Sequence, residues 1–220
     1  MAVAPLNKLI TLAVPVAPGE QVIYKPAAGI NAIVLYAQVA NVAGVTTYPT
    51  VTLTHRRTSR VQRTLDNKRD NRIIKDAEVP PNDSLVIIDG RLILERSALI
   101  EDSLIISGAQ SGIVSISSCT YSSTTGIATI TTTTNHNFSF GSEITMSGLA
   151  FTCPPGSATN NKYIFPDPQA SFTVSQVVGV TTFVTNVGVA IGITHNYLNG
   201  GQVGPLQMEF ICSILENSIV

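Results

Sequence analysis

The chain has 220 residues, 13 basic and 14 acidic side chains, a net charge of −1, 44% hydrophobic content and only 12% charged residues. That composition is too apolar for disorder, and the length suffices to bury a core in one large β domain or two small ones. No apolar run reaches the roughly 20 residues of a membrane span, so no membrane partner is expected. The start, Met1 to Pro5, lacks the basic region and apolar core of a secretory leader. Cys119, Cys153 and Cys212 form an odd, widely spaced set, which argues against a disulfide framework or a zinc site and fits synthesis in a reducing cytoplasm.

Strand signals dominate, and no helical period survives beyond a turn or so. Lys8–Val14 and Ile30–Val39 are rich in β-branched and aromatic residues, with turn residues at Pro18-Gly19 and Ala28-Gly29 between them. Thr50–His55 alternates like a half-buried strand. His55–Asp76 carries eight Lys and Arg against Asp66, Asp70 and Asp76, a local charge of +5. Having no apolar period, it reads as a long exposed loop or hairpin excursion closed by a strand at Arg72–Lys75. Pro80-Pro81-Asn82-Asp83 reads as a turn. Ser84–Ile88, Asp89-Gly90 and Arg91–Glu95 read as a hairpin, since Asp-Gly suits the positive-φ positions of a type I′ turn. Ser103–Ser107 is the next strand.

The charge then disappears. From Val114 to Gly204 only Glu143, Lys162 and Asp167 are charged, and thirteen of the 21 residues in Val114–Thr134 are Ser or Thr. Gly126–Thr133, Glu143–Ser147, Ser171–Val178 and Thr182–Asn186 are the clearest strands here, with Cys153–Pro168 a Pro- and Asn-rich loop. Asn199-Gly200-Gly201 and Gly204-Pro205 read as turns before a last apolar segment, Leu206–Leu215. A terminal strand needs a sheet to join, and the sheet of matching composition is the first one. The expected fold is all-β. Residues 1–112 and 205–220 form a discontinuous β-sandwich, and residues 113–204 form an inserted small β-barrel or sandwich module. So little charge on a β protein also implies that much of its surface meets protein rather than water.

The basic stretch could contact phosphate, since clustered Arg and Lys release counterions from nucleic acid, but it holds no aromatic to stack on bases. Protein docking outweighs nucleic acid, and Arg56, Arg57, Arg60, Arg63, Arg69 and Arg72 are the expected inter-subunit docking arm. His55, His136 and His195 are scattered without ligand spacing, and no Gly-x-Ser-x-Gly elbow is present. Glu101 and Asp102, adjacent on a strand, point to opposite faces and cannot act as an acid–base pair. Cys119 has no basic neighbour in sequence to activate it. Neither catalysis nor a cofactor or metal is called for. Tyr121, Tyr163 and Tyr197 are candidate glycan contacts, together with Phe165, although closing the ends of a small barrel is the favoured role for such aromatics.

Two stretches carry a resemblance. Thr124-Thr125-Gly126-Ile127-Ala128-Thr129-Ile130-Thr131-Thr132, followed by His136-Asn137-Phe138-Ser139-Phe140-Gly141-Ser142-Glu143-Ile144-Thr145-Met146-Ser147-Gly148, resembles a module recurrent in virion proteins of tailed phages, especially cyanophages. Ser171–Val174 and Thr181–Phe183 match its closing strands, and the resemblance covers about 85 residues. The sequence departs from that pattern at Asn137, where Gly is usual, and at Ser142, where Asp is usual. Asn tolerates the left-handed conformation and Ser can cap a turn, so neither departure disturbs the expected fold. More loosely, Val79–Ile88, Arg91–Glu95 and Glu101–Leu104 resemble small β-sandwich proteins of phage heads, tails and fibres. The resemblance implies a non-enzymatic virion structural protein, made in the host cytoplasm, that forms homo-oligomers and docks on other virion proteins. Capsid decoration or cement is the first expectation, and a neck, tail or baseplate component or a receptor- or glycan-binding fibre module are the alternatives.

Overall fold

The computed structural model describes residues 7–43, 48–60, 66–152, 166, 169–190 and 195–218, which contain fourteen strands and no helix. They fall into two compact units. One is built from the chain up to Val16, Glu20–Ala109 and the chain from Gln207 on; the other from Ala17–Gly19 and Gln110–Leu206.

The first unit is a sandwich of two four-stranded sheets. One sheet has the order β1 (Asn7–Pro15), β14 (Met208–Ser218), β3 (Ile30–Asn41), β6 (Ser84–Leu94), all antiparallel neighbours. The final apolar segment therefore does join the first sheet, between β1 and β3. The other sheet has the order β2 (Gly19–Tyr24), β7 (Ile100–Ala109), β4 (Thr50–Arg60), β5 (Asp66–Glu78). Alternation along the strands sends Val34, Ala37, Val39, Phe210, Cys212 and Ile214 of one sheet, and Val51, Leu53, Leu104 and Ile106 of the other, into a single core. Each fully buried Leu, Ile or Phe there contributes about 1.5–3 kcal/mol.

The second unit is a closed six-stranded barrel, in the order β10 (Glu143–Thr152), β11 (Ser171–Gly179), β12 (Thr182–Asn186), β9 (Ile127–Thr132), β8 (Val114–Tyr121), β13 (Asn196–Pro205), with β13 returning to β10. Closure removes the sheet edges, which lets a chain poor in charge stay discrete. Ile130, Ile144, Met146, Val174, Phe183 and Val203 fill the interior. The abundant Thr and Ser hydroxyls serve the barrel in two ways. Most face outward, while Thr132 and Thr185 are buried and donate to backbone carbonyls, Thr185 to Thr173 at 2.8 Å.

Three expectations require correction. Of the two forms expected for His55–Asp76, the hairpin holds and the long loop does not: its ends are the antiparallel strands β4 and β5, and β4 is also paired along Thr50–Ser59 with β7. Ser84–Glu95 is not a hairpin, because β6 runs continuously along β3, with Asp89 paired to Tyr36 and Gly90-Arg91 absorbed as a bulge. Neither Asp89 nor Gly90 adopts the positive φ a type I′ turn needs. Asn199-Gly200-Gly201 and Gly204-Pro205 lie within β13 rather than in turns, paired with β10. The Pro80–Asp83 turn is present, with Pro81 second, Asn82 third at φ 56° and the Asp83 amide on the Pro80 carbonyl at 3.2 Å, the arrangement of a type II turn.

Candidate functional site

Pairing places the arginines. Arg56 and Arg57 are neighbours on β4, so their side chains leave by opposite faces of the sheet. Arg56 stands directly opposite Asp70 of β5, and its guanidinium grips that carboxylate at 2.6 and 2.8 Å while also reaching Glu20 at 3.2 Å. The hydrogen bond to Asp70 raises the Arg56 pKa above its ordinary value. Arg57 stands directly opposite Asp102 of β7, donates to both its oxygens at 2.8 Å and contacts Glu95 at 3.0 Å.

Asp102 is wholly buried and also accepts the Glu95 amide at 3.0 Å. Burial pushes its carboxyl up, but Arg57, the Glu95 amide and His55 outweigh that and hold it below the usual carboxylate range. His55 Nε2 lies 3.2 Å from Asp102 Oδ2. Glu101, on the opposite face, pairs instead with Lys25 and Arg96. The two carboxylates are separated as adjacent strand positions require.

Two of the six arginines expected to form a docking arm are thus held by their own chain. Arg60 is the last residue of β4, and Arg63 lies outside the described residues. Arg69 and Arg72 remain, exposed on the edge strand β5 with Lys68, and neither makes an ion pair among the described residues. Charge on an edge strand has a structural use of its own, since it discourages a second strand from pairing there.

In the barrel, the histidine of the phage-like motif is a latch. His136 Nδ1 accepts the Phe138 amide at 2.9 Å, and Nε2 lies 3.0 Å from the Gly179 carbonyl, which fixes the neutral tautomer with hydrogen on Nε2. The ring stacks on Phe138 and meets Phe183 edge-on, both at 5.1 Å. Asn137 adopts φ 55°, the left-handed conformation expected of it. Ser142 closes the turn Ser139–Ser142, its Oγ accepting the Ser139 amide at 2.9 Å, with Gly141 at φ 82°.

Of the candidate glycan contacts, Tyr163 lies outside the described residues. Tyr121 and Tyr197 are half-buried, and their hydroxyls donate to the carbonyls of Gly188 at 2.7 Å and Gly200 at 2.8 Å. Phe151 meets His195 and Tyr197 edge to face, and Tyr121 packs tilted against buried His195, an arrangement that suits rings closing the barrel. Burial lowers the His195 pKa and pushes the Cys119 thiol up to about 12. Among the described residues, no group of three His, Cys, Asp or Glu is arranged to hold a metal, and no helix is long and apolar enough to cross a membrane.

No protein-family model matches the chain, and no curated protein does. A solved chain from the structure of infectious bursal disease virus, Gx strain, matches at 8% identity, covering 98% of this chain and 42% of the viral one, with a TM-score of 0.29. The chain therefore spans less than half of that protein, and at this TM-score the likeness carries no functional argument.

Proposed function

We propose that this chain is a non-enzymatic structural protein of a tailed-phage particle, a capsid decoration or cement protein that self-associates and docks on other virion proteins. One observation carries the reading: the distinctive residues of the phage-like stretch His136–Gly148 are committed to the barrel. His136 has both nitrogens bound to backbone, Asn137 and Gly141 supply the turns, Ser142 closes one of them, and Ile144 and Met146 fill the core. A motif used to hold a scaffold suits a building block. The heteromeric contact falls to Lys68, Arg69 and Arg72, the cations of β5 that make no ion pair among the described residues, and an acidic protein surface is the complement they fit. On this reading the protein is made in the host cytoplasm and resides in the virion.

Quantitative mass spectrometry of purified particles whose genome encodes the chain tests it. Hundreds of copies per particle are expected of a decoration protein. A handful of copies would move the protein to the neck, tail or baseplate, and its absence from the particle overturns the proposal.

A further inference from the structure

The two outward faces of the sandwich have opposite chemistry. Outward from β7, β4 and β5 stand Glu101, Lys68, Arg56, Asp70 and Arg72, as expected of a sheet facing water. Outward from β1, β14, β3 and β6 the register sets Leu9, Leu215, Ile33 and Ile93 in one unbroken row across all four strands. Leu9 is 65% and Ile93 55% exposed. Four residues along β1, beyond a polar row of Thr11, Ser213, Tyr36 and Asp89, a second row sets Ala13, Ile211 and Val86 around Gln38, and Val86 is 47% exposed. Among the described residues, the charges on this face between the Leu9 and Pro15 rows are Asp89 and Glu209, with exposed Arg91 in the β6 bulge beside Asp89. Scattered surface leucines are ordinary, but ordered rows spanning a whole sheet face mark a surface that is covered.

We propose that this face is the interface of a homodimer, two copies packing their β1-β14-β3-β6 sheets face to face. Three observations select a second copy as the occupant. The face carries few charges, and of both signs, so self-packing juxtaposes few like charges, and it offers a strongly charged partner little to recognise. Its rows are self-complementary: a two-fold axis in the plane of the face, along the strands or across them at the Thr11–Ser213–Tyr36 row, lays apolar rows on apolar rows. The size is sufficient. Four strands at about 4.8 Å and the nine residues of β1 at about 3.4 Å give a projected face of roughly 600 Å² per copy, or about 1,200 Å² for the pair, the low end of stable interfaces. The inference does not rest on the viral reading, since the dimer needs no particle.

Analytical ultracentrifugation of the full chain at tens of micromolar tests it. The wild type is expected to sediment as a dimer, and Leu9→Lys/Ile93→Lys as a monomer, the Kd raised by roughly a hundredfold or more because each ammonium would be desolvated unpaired. Both sites are exposed, so the far-ultraviolet spectrum should be retained, and Tm should fall only by the stabilisation that dimerisation adds to the wild type at that concentration. Leu198→Lys, at an exposed barrel position, should remain dimeric. Hydrogen exchange gives a second readout in the unmodified protein, since dilution below the dimer Kd should speed exchange in β1 and β6. A monomeric wild type overturns the proposal, as does an oligomer that survives the double substitution. Protection of this face only when a different protein is added would assign it to that protein instead.

Discussion

Arg57 and Asp102 face each other across the β4–β7 ladder, the guanidinium forked onto both oxygens of a carboxylate that has no exposure to solvent. Removing the carboxylate strands Arg57, the Glu95 amide and His55 together. Asp102→Ala should therefore destabilise the sandwich by about 2–4 kcal/mol, read from urea unfolding. Asp102→Asn keeps the shape but loses the charge and one acceptor, and should recover less than half of that loss. A cost below about 0.5 kcal/mol for both variants would show the fork to be dispensable.

Arg57 is consequently a poor place to test docking, because reversing its charge attacks the fold. Arg69→Glu/Arg72→Glu is the informative variant, since both residues are exposed on an edge strand and make no ion pair among the described residues. Its unfolding free energy should stay within about 0.5 kcal/mol of wild type, while incorporation into particles falls at least tenfold. Normal incorporation would remove these arginines from the docking surface.

Acid should weaken the two units at different pH. His195 in the barrel has a pKa lowered by burial, so the unfolded chain binds the proton more readily. Its contribution is present above the ordinary histidine value of about 6.5 and is lost as pH falls below it. Asp102 in the sandwich has a lowered carboxyl pKa, so its contribution is present above about 3.9 and is lost as pH falls through the lower folded value. Amide spectra recorded from pH 7 to 3 should show barrel resonances losing stability first. His195→Asn should abolish the earlier step, and an unchanged earlier step would assign it elsewhere.

The contrast between these units was partly legible in the amino-acid order. The neutral Thr-rich segment corresponds to barrel strands because alternation and Gly punctuation survive there, and Thr182–Asn186 matches β12 residue for residue. Three strands were not legible: β2 of the sandwich, and β13 and β8 of the barrel. β13 is written Asn-Tyr-Leu-Asn-Gly-Gly-Gln-Val-Gly-Pro, and its turn-forming residues are tolerated because tertiary pairing with β10 overrides local propensity. β8 has Ser or Thr at half of its eight positions, and its apolar alternation is broken by a bulge between Ile116 and Ser118. The arginines misled for another reason. Charge density reads as solvation, yet the register that pairs Arg56 with Asp70 and Arg57 with Asp102 joins residues 14 and 45 positions apart, beyond the reach of local patterns.

His136 offers a direct test of the latch. His136→Ala removes a buried ring, strands the Phe138 amide and the Gly179 carbonyl, and opens a cavity beside Phe183. A loss of about 2–4 kcal/mol in the barrel is expected, with the sandwich unaffected. Gln in the same place can restore some of the hydrogen bonding and should cost less. Equal losses for Ala and Gln would show that ring packing alone holds the turn.

Thr145 points the opposite way. It is fully buried on β10 between the core residues Ile144 and Met146, and its Oγ1 has no hydrogen-bond partner among the described residues. A hydroxyl buried without a partner costs about 1–3 kcal/mol relative to one in water, whereas a methyl group in its place gains from burial. Thr145→Val changes the shape little, so the barrel should gain about 1 kcal/mol and unfold at higher temperature. A Tm unchanged or lowered by this substitution would mean that Oγ1 does have a partner in solution.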